Sequence, residues 1–171
     1  MLRAAEVAWY VTGRFYESAV DSSVFDAGFF LHLPIVGGDL DDRFTFLAKP
    51  FTPSVRWNGD LKISIDPVGE FSVFYDEQRR ATFDDPLSFG SGLCIATFRR
   101  VSIVASAFSM NVLSAELIAS TPFEHRGRCY DFAELLPYGV TQWGTASTTS
   151  GDPPPTGYTS AVPFVGSAIV V

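Results

Sequence analysis

The chain has 171 residues, 47% of them hydrophobic and 18% charged, which is the length of one ordinary domain and the composition of a packed one rather than a disordered one. Its net charge of −7 argues against a nucleic-acid backbone or an anionic membrane surface as partner, because both need a basic face. Two cysteines, Cys94 and Cys129, make no disulfide framework and have no zinc-like spacing with histidine.

The N-terminal stretch through Trp9 carries Glu6 where a signal peptide needs an apolar core, so the cytoplasm is the default location. No apolar run approaches the roughly 18 residues of a membrane span. Val7 to Phe15, Gly28 to Val36 and Arg43 to Phe51 read as strands. The second is almost continuously apolar, the pattern of a strand buried on both faces. The third alternates Phe44, Phe46 and Ala48 against Thr45, Leu47 and Lys49. Between them, Asp39, Asp41 and Asp42 lack the spacing of a calcium loop and read as a solvated turn.

Val55 to Tyr75 contains two turn signals. Trp57-Asn58-Gly59 suits a three-residue hairpin loop with Gly59 at the positive-φ position, pairing Arg56 with Asp60 and Val55 with Leu61. Asp66-Pro67-Val68-Gly69 suits a type I turn with a glycine bulge, pairing Ile65 with Phe71, Ile63 with Val73 and Leu61 with Tyr75. Together they place Val55, Leu61, Ile63, Ile65, Phe71, Val73 and Tyr75 on one core face.

Asp76 to Ser91 is a long charged loop with one helical turn at Asp85-Pro86. Gly92 to Val104 and Asn111 to Ser120 are long strands, with a short helix over Met110 to Ile118 as the alternative for the second. Cys94 lies in the first of them and is expected as a buried free thiol, with Cys129 more exposed. Pro122 to Leu136 is irregular, with a short helix at Tyr130 to Leu136. Gly139 to Ala146 and Ala161 to Val171 are the last strands, separated by a Pro- and Ser/Thr-rich loop or arm over 147–159.

The whole is a single β domain, 1–171, with little helix. Its edges have to be hidden. An antiparallel up-and-down β-barrel of about eight to ten strands does this, and a two-sheet sandwich is the alternative. In layout this resembles the calycin, dirigent and allene-oxide-cyclase-like barrels; no motif of theirs accompanies the layout, so no residue is carried over.

Nucleotide, P-loop, hydrolase-elbow and zincin motifs are absent, so neither a cofactor nor a metal is expected. Polar groups inside apolar strands carry what chemistry there is. Glu116 shares a face with Val112, Ser114 and Ile118; turned inward it would be a desolvated acid, and turned outward a solvated one. His32 shares a face with Phe30 and reads either as a hydrogen-bonded core residue or as an acid/base group. Tyr75 needs a partner for its hydroxyl. Arg99-Arg100 reads as the rim of the barrel. The functional expectation is a barrel enclosing an apolar small molecule, lined by Phe30, Tyr10, Trp57, Phe74 and Arg99. Its sharper form is a cofactor-free cyclase or isomerase using Glu116, His32 and Tyr75. A non-catalytic carrier is one alternative. The other is a structural or interaction protein that assembles as a homo-oligomer by adding its C-terminal strand to a neighbour.

Overall fold

In the computed structural model the strands are β1 (Val7–Ser18), β2 (Val24–His32), β3 (Phe44–Ala48), β4 (Arg56–Asn58), β5 (Leu61–Ser64), β6 (Glu70–Tyr75), β7 (Leu93–Ser106), β8 (Met110–Ser120), β9 (Phe123–His125), β10 (Arg128–Tyr130), β11 (Val140–Ala146) and β12 (Tyr158–Val170). The described residues are all but 1, 34, 36–40, 53–55, 60, 65–68, 107–109 and 149–151. Eight strands pair in chain order, β1-β2-β3-β6-β7-β8-β11-β12, and β12 returns to pair with β1. The result is a closed antiparallel up-and-down barrel with no free edge among those eight strands. The C-terminal strand is paired with β1 along its length and with β11 over residues 164–170, so it closes the barrel of its own chain.

Alternation along each strand sorts side chains into lumen and exterior. Trp9 is the hub of the lumen, edge-on to Phe30, Phe71 and Phe98 at centroid distances of 5.5, 6.3 and 5.6 Å. A short helix, α1 (Phe132–Leu135), and the β9–β10 hairpin plug one end: Phe132 packs on Phe98 and Phe123, and Phe123 on Tyr75 and Phe44. The Asp131 side chain accepts a hydrogen bond from the Ala133 amide and so caps α1.

The loop 76–92, with its 3-10 turn Pro86–Gly90, folds over the outside of β1–β3. Phe83 and Phe89 pack on Phe29 there, the Thr45 hydroxyl donates to the Phe89 carbonyl, and the Tyr16 hydroxyl donates to that of Phe83. This second aromatic layer buries β2 on both faces over residues 25–30; the strand starts at Val24 rather than Gly28 and ends at His32, and Leu31, within the apolar run, is exposed.

The passage Val55 to Tyr75 departs from expectation. Asn58 pairs with Leu61 and Arg56 with Ile63, which is neither the three-residue loop nor a turn centred on Asn58-Gly59. Leu61 is half exposed, so no burial enforces the register there. The second turn does not make a hairpin. β5 and β6 run in the same direction along β7, with Ser64 opposite Ile103 and Glu70 opposite Arg99. β6 reaches only as far as Arg99, and β5 takes up the edge of β7 beyond it. Val55, Asp60, Ile65 and Asp66 to Val68 lie outside the described residues. Phe71, Val73 and Tyr75 do form the core face. Cys94 is exposed rather than buried: it pairs with Phe74 just before a bulge at Ile95. Both cysteines are free.

Candidate functional site

Most lumen positions are apolar, and the exceptions are informative because burying an unpaired charge is costly. Asp26 on β2 and Arg100 on β7 both point inward and are almost fully buried. Their strands are not neighbours, so the ion pair crosses the lumen: Arg100 Nη2 donates to Asp26 Oδ2 at 2.6 Å. Arg100 follows Ala96 and Phe98 on the inward face of β7 by simple alternation, and the bulge at Val101, between the pairs Arg100–Ala115 and Ser102–Ser114, comes after it. The guanidinium lies over the Phe71 ring, 5.2 Å from its centroid. Its Nε is buried and has no hydrogen-bond partner.

Beside this pair is a cavity of about 10 Å³, the room one water needs. It is lined by the ion pair, the rings of Trp9, Phe30, Phe46 and Phe71, and Gln142, which accepts a 2.8 Å hydrogen bond from Trp9 Nε1. A charged pair and an amide thus line one small space inside an aromatic shell, and the guanidinium of that pair keeps one buried N–H unpaired. The arrangement can hold a small polar group by hydrogen bonds and exclude bulk water from it.

A second polar cluster sits under the β9–β10 hairpin, at the plugged end. The two-residue turn Arg126-Gly127, with both φ positive, forms the hairpin and presents His125 inward, where its side chain is 1% exposed. His125 Nδ1 lies 3.1 Å from the Tyr75 hydroxyl, and Nε2 is 3.7 Å from Asp41 Oδ2. Asp41 is bound in bidentate fashion by Arg43 at 2.7 and 2.6 Å, and the Tyr75 hydroxyl also donates to Glu77. Tyr75 has only one proton to give. While Glu77 takes it, Nδ1 must be the donor to the phenol oxygen. His125 Nε2 is then a bare, buried lone pair with no hydrogen-bond partner, facing a carboxylate.

Burial pushes the Tyr75 phenol up to about 12, helped by its hydrogen bond to Glu77. Burial, reinforced by Arg43, holds the His125 imidazole below its ordinary value of 6.5, and the attraction of Asp41 only partly offsets this. A depressed histidine pKa means that the unfolded chain binds a proton first as pH falls. The stability this contributes is complete above pH 6.5 and declines as pH drops from there through the folded value. Asp76, held down to about 2 chiefly by Arg80, acts in a separate window below its ordinary 3.8. Urea unfolding of the wild type should therefore lose stability between pH 7 and 5, whereas His125→Asn should be flat over that range. Equal slopes in the two proteins would refute this assignment.

The expected site residues scatter. Phe30 lines the lumen cavity. Tyr75 is inside, but its hydroxyl is satisfied by Glu77 and His125. Glu116 is on the outer face of β8, ion-paired with the exposed Arg99. His32 is not on the face of Phe30: a bulge between them pairs it with exposed Tyr10 on the outside, ring centroids 5.9 Å apart. Trp57 is on the exposed β4, and Phe74 faces outward from β6 toward Gly90. Arg100 is in the lumen and not at a rim. Of the acidic turn, Asp39 lies outside the described residues, Asp41 is buried rather than solvated, and Asp42 pairs with Arg79. Asp26, His125 and Gln142 were not among the expected residues. A lone Asp in Val24-Phe-Asp-Ala-Gly-Phe-Phe30 carries for Asp26 the same signal that singled out Glu116.

Among the described residues no group of His, Cys, Asp and Glu is placed to hold a metal ion, and no helix is long and apolar enough to cross a membrane. No protein-family model, curated protein or solved structure matches the chain.

Proposed function

We propose that the lumen binds a small, neutral, largely apolar carbonyl compound, with its oxygen accepting from Arg100 Nε. The observation that carries this reading is the unpartnered buried N–H of Arg100, a residue that lines the cavity. The ion pair is already neutral as a unit, so an anionic ligand would add an uncompensated buried charge, whereas a carbonyl adds only an acceptor. The aromatic shell suits an apolar body. Because the resting cavity has room for one water, the ligand selects an opened state in which the surrounding rings have shifted.

The same geometry defines a catalytic form of this reading. Arg100 would hold the oxygen while the Asp26 carboxylate takes a proton from the α-carbon and returns it at another carbon, an enolisation that needs no cofactor. Glu116 and His32, both outside the barrel, have no part in it.

Thermal unfolding in the presence of cyclohexanone, cyclohexenone and benzaldehyde, with benzoate as the anionic control, tests the binding. Neutral carbonyl compounds should raise the melting temperature in a dose-dependent way, by the equivalent of about 2.7 kcal/mol at one hundred times Kd. The effect should vanish in the Asp26→Leu/Arg100→Met double variant. Equal stabilisation of both proteins, stabilisation by benzoate alone, or none by any compound overturns the proposal. Exchange of α-deuterium from bound ketone, followed by NMR, tests the catalytic form.

A further inference from the structure

The outside of the barrel is not uniform. No charged residue occurs in 101–115, 137–151 or 153–171, although the chain carries a net charge of −7. Topology gathers these stretches: β8, β11 and β12 are adjacent, and the distal part of β7 flanks them. Their outward side chains fall into register. Val104 is opposite Val112, Val112 opposite Trp143, and Thr145 lies between Met110 and Val165. Val104, Met110, Val112, Trp143 and Val165 are 49, 60, 37, 42 and 51% exposed. Leu61 on β5, half exposed, extends the row past β7. Outward hydroxyls at Ser102, Ser114, Thr141 and Ser167 alternate with them, and the Ser114 and Thr141 hydroxyls already bond to each other at 3.1 Å.

Loss of charge combined with exposed aromatic, Met and branched side chains is the composition of an interface centre. Scattered apolar residues need no explanation, but a contiguous uncharged band does. The Arg99–Glu116 ion pair stands at one border of this band, as a polar rim does.

We propose that this face pairs with the same face of a second copy of the chain. Charge selects the occupant. Two acidic molecules repel wherever their carboxylates meet, and this face lets them dock with every charge held outside the contact. It offers no charged group with which to recognise a basic or acidic partner. Its apolar and hydroxyl groups are complementary to an identical set related by a two-fold axis, the commonest closed symmetry. Because the part of β12 that carries Val165 and Ser167 is paired on both edges, the contact is made by side chains of the barrel wall and not by backbone pairing.

The test is the oligomeric state of the full chain by light scattering and native mass spectrometry, from 1 to about 100 μM. The expected result is a dimer, with Val112→Asp and Trp143→Lys each raising the dissociation constant at least 100-fold while the far-ultraviolet dichroism is unchanged. Leu87→Asp, on the 3-10 turn away from this face, should leave assembly intact. A wild type that stays monomeric to 100 μM overturns the proposal. So does a dimer insensitive to both face variants, or a monomer that floats with neutral phosphatidylcholine vesicles.

Discussion

Removing either member of the lumen ion pair, by Asp26→Leu or Arg100→Met, should lower the free energy of unfolding by about 3–5 kcal/mol, because each change strands the other charge away from water. The Asp26→Leu/Arg100→Met double variant should recover most of that loss. Two charges taken out of water gain little net stability from each other, and apolar replacements of similar bulk avoid the desolvation altogether. The structure sharpens this expectation. Arg100 Nε has no partner, so the guanidinium is incompletely compensated, and the Phe71 ring beneath it would accept a methionine equally well. Urea unfolding of the four proteins forms a double-mutant cycle. A large coupling energy with a stable double variant marks a pair retained for something other than stability, such as holding a ligand. Losses that simply add would show that the two charges do not face each other in solution.

The second large effect concerns backbone contact. Gly28 and Gly13 are directly opposite on β2 and β1, facing the lumen. A Cβ on Gly28 would fall on the Thr12 carbonyl oxygen and Gly13 Cα, with the Phe46 ring 2.9 Å away. A Cβ on Gly13 would meet the Ala27 carbonyl at 2.6 Å and the Phe164 ring at 2.7 Å. Rings can turn, but the backbone atoms are held by the ladder. Gly28→Ala should cost about 3 kcal/mol or more, at the upper end of what overpacking does. Gly59→Ala, with open space around it, is the comparison: there only the positive φ of +63° is penalised. Thermal melts of the two variants separate a lumen collision from backbone strain, and equal shifts would refute the collision.

What could be read in advance follows from where burial enforces a pattern. Phe44, Phe46 and Ala48, and Phe71, Val73 and Tyr75, alternate because one face of each strand is lumen, and both sets lie as expected. The helical turn at Asp85-Pro86 and a short helix within Tyr130 to Leu136 both lie where expected, although Asp85 makes no side-chain cap and its turn rests on Pro86. Leu61 and Trp57 misled because they sit on a hairpin beside the barrel wall, where an apolar residue carries no information about a core. Asp66 and Pro67 lie outside the described residues, and the strands on either side of them both pair with β7 rather than with each other. Whether a turn reverses the chain depends on which edge is vacant, and the vacant edge belonged to β7, a later part of the sequence.

The site was less legible for a related reason. A single-residue bulge exchanges the two faces of a strand. His32 leaves the lumen through one such bulge, which strict alternation cannot register. Arg100, in contrast, keeps the alternation of Ala96 and Phe98, and pairing it with Arg99 as a rim ignored that adjacent residues of a strand face opposite ways. His125 lay in a segment that reads as irregular. Only the Arg126-Gly127 turn, flanked by alternating Phe123, His125, Arg128 and Tyr130, marks it as a hairpin.

The seam between β1 and β12 also dictates when this molecule can exist. Val7 pairs with Ile169, so the pairing most distant along the chain is the one that abolishes both open edges. During synthesis β1 has to wait, with its outer edge exposed, until the 13-residue β12 has left the ribosome. Every earlier intermediate is an unclosed, aromatic-rich sheet with two templating edges, and its closure carries the loop entropy of the whole span from β1 to β12. The Gly-rich lumen wall at Gly13, Gly28, Gly144 and Gly166 lets that sheet curl sharply, which shortens the time those edges remain available to other molecules.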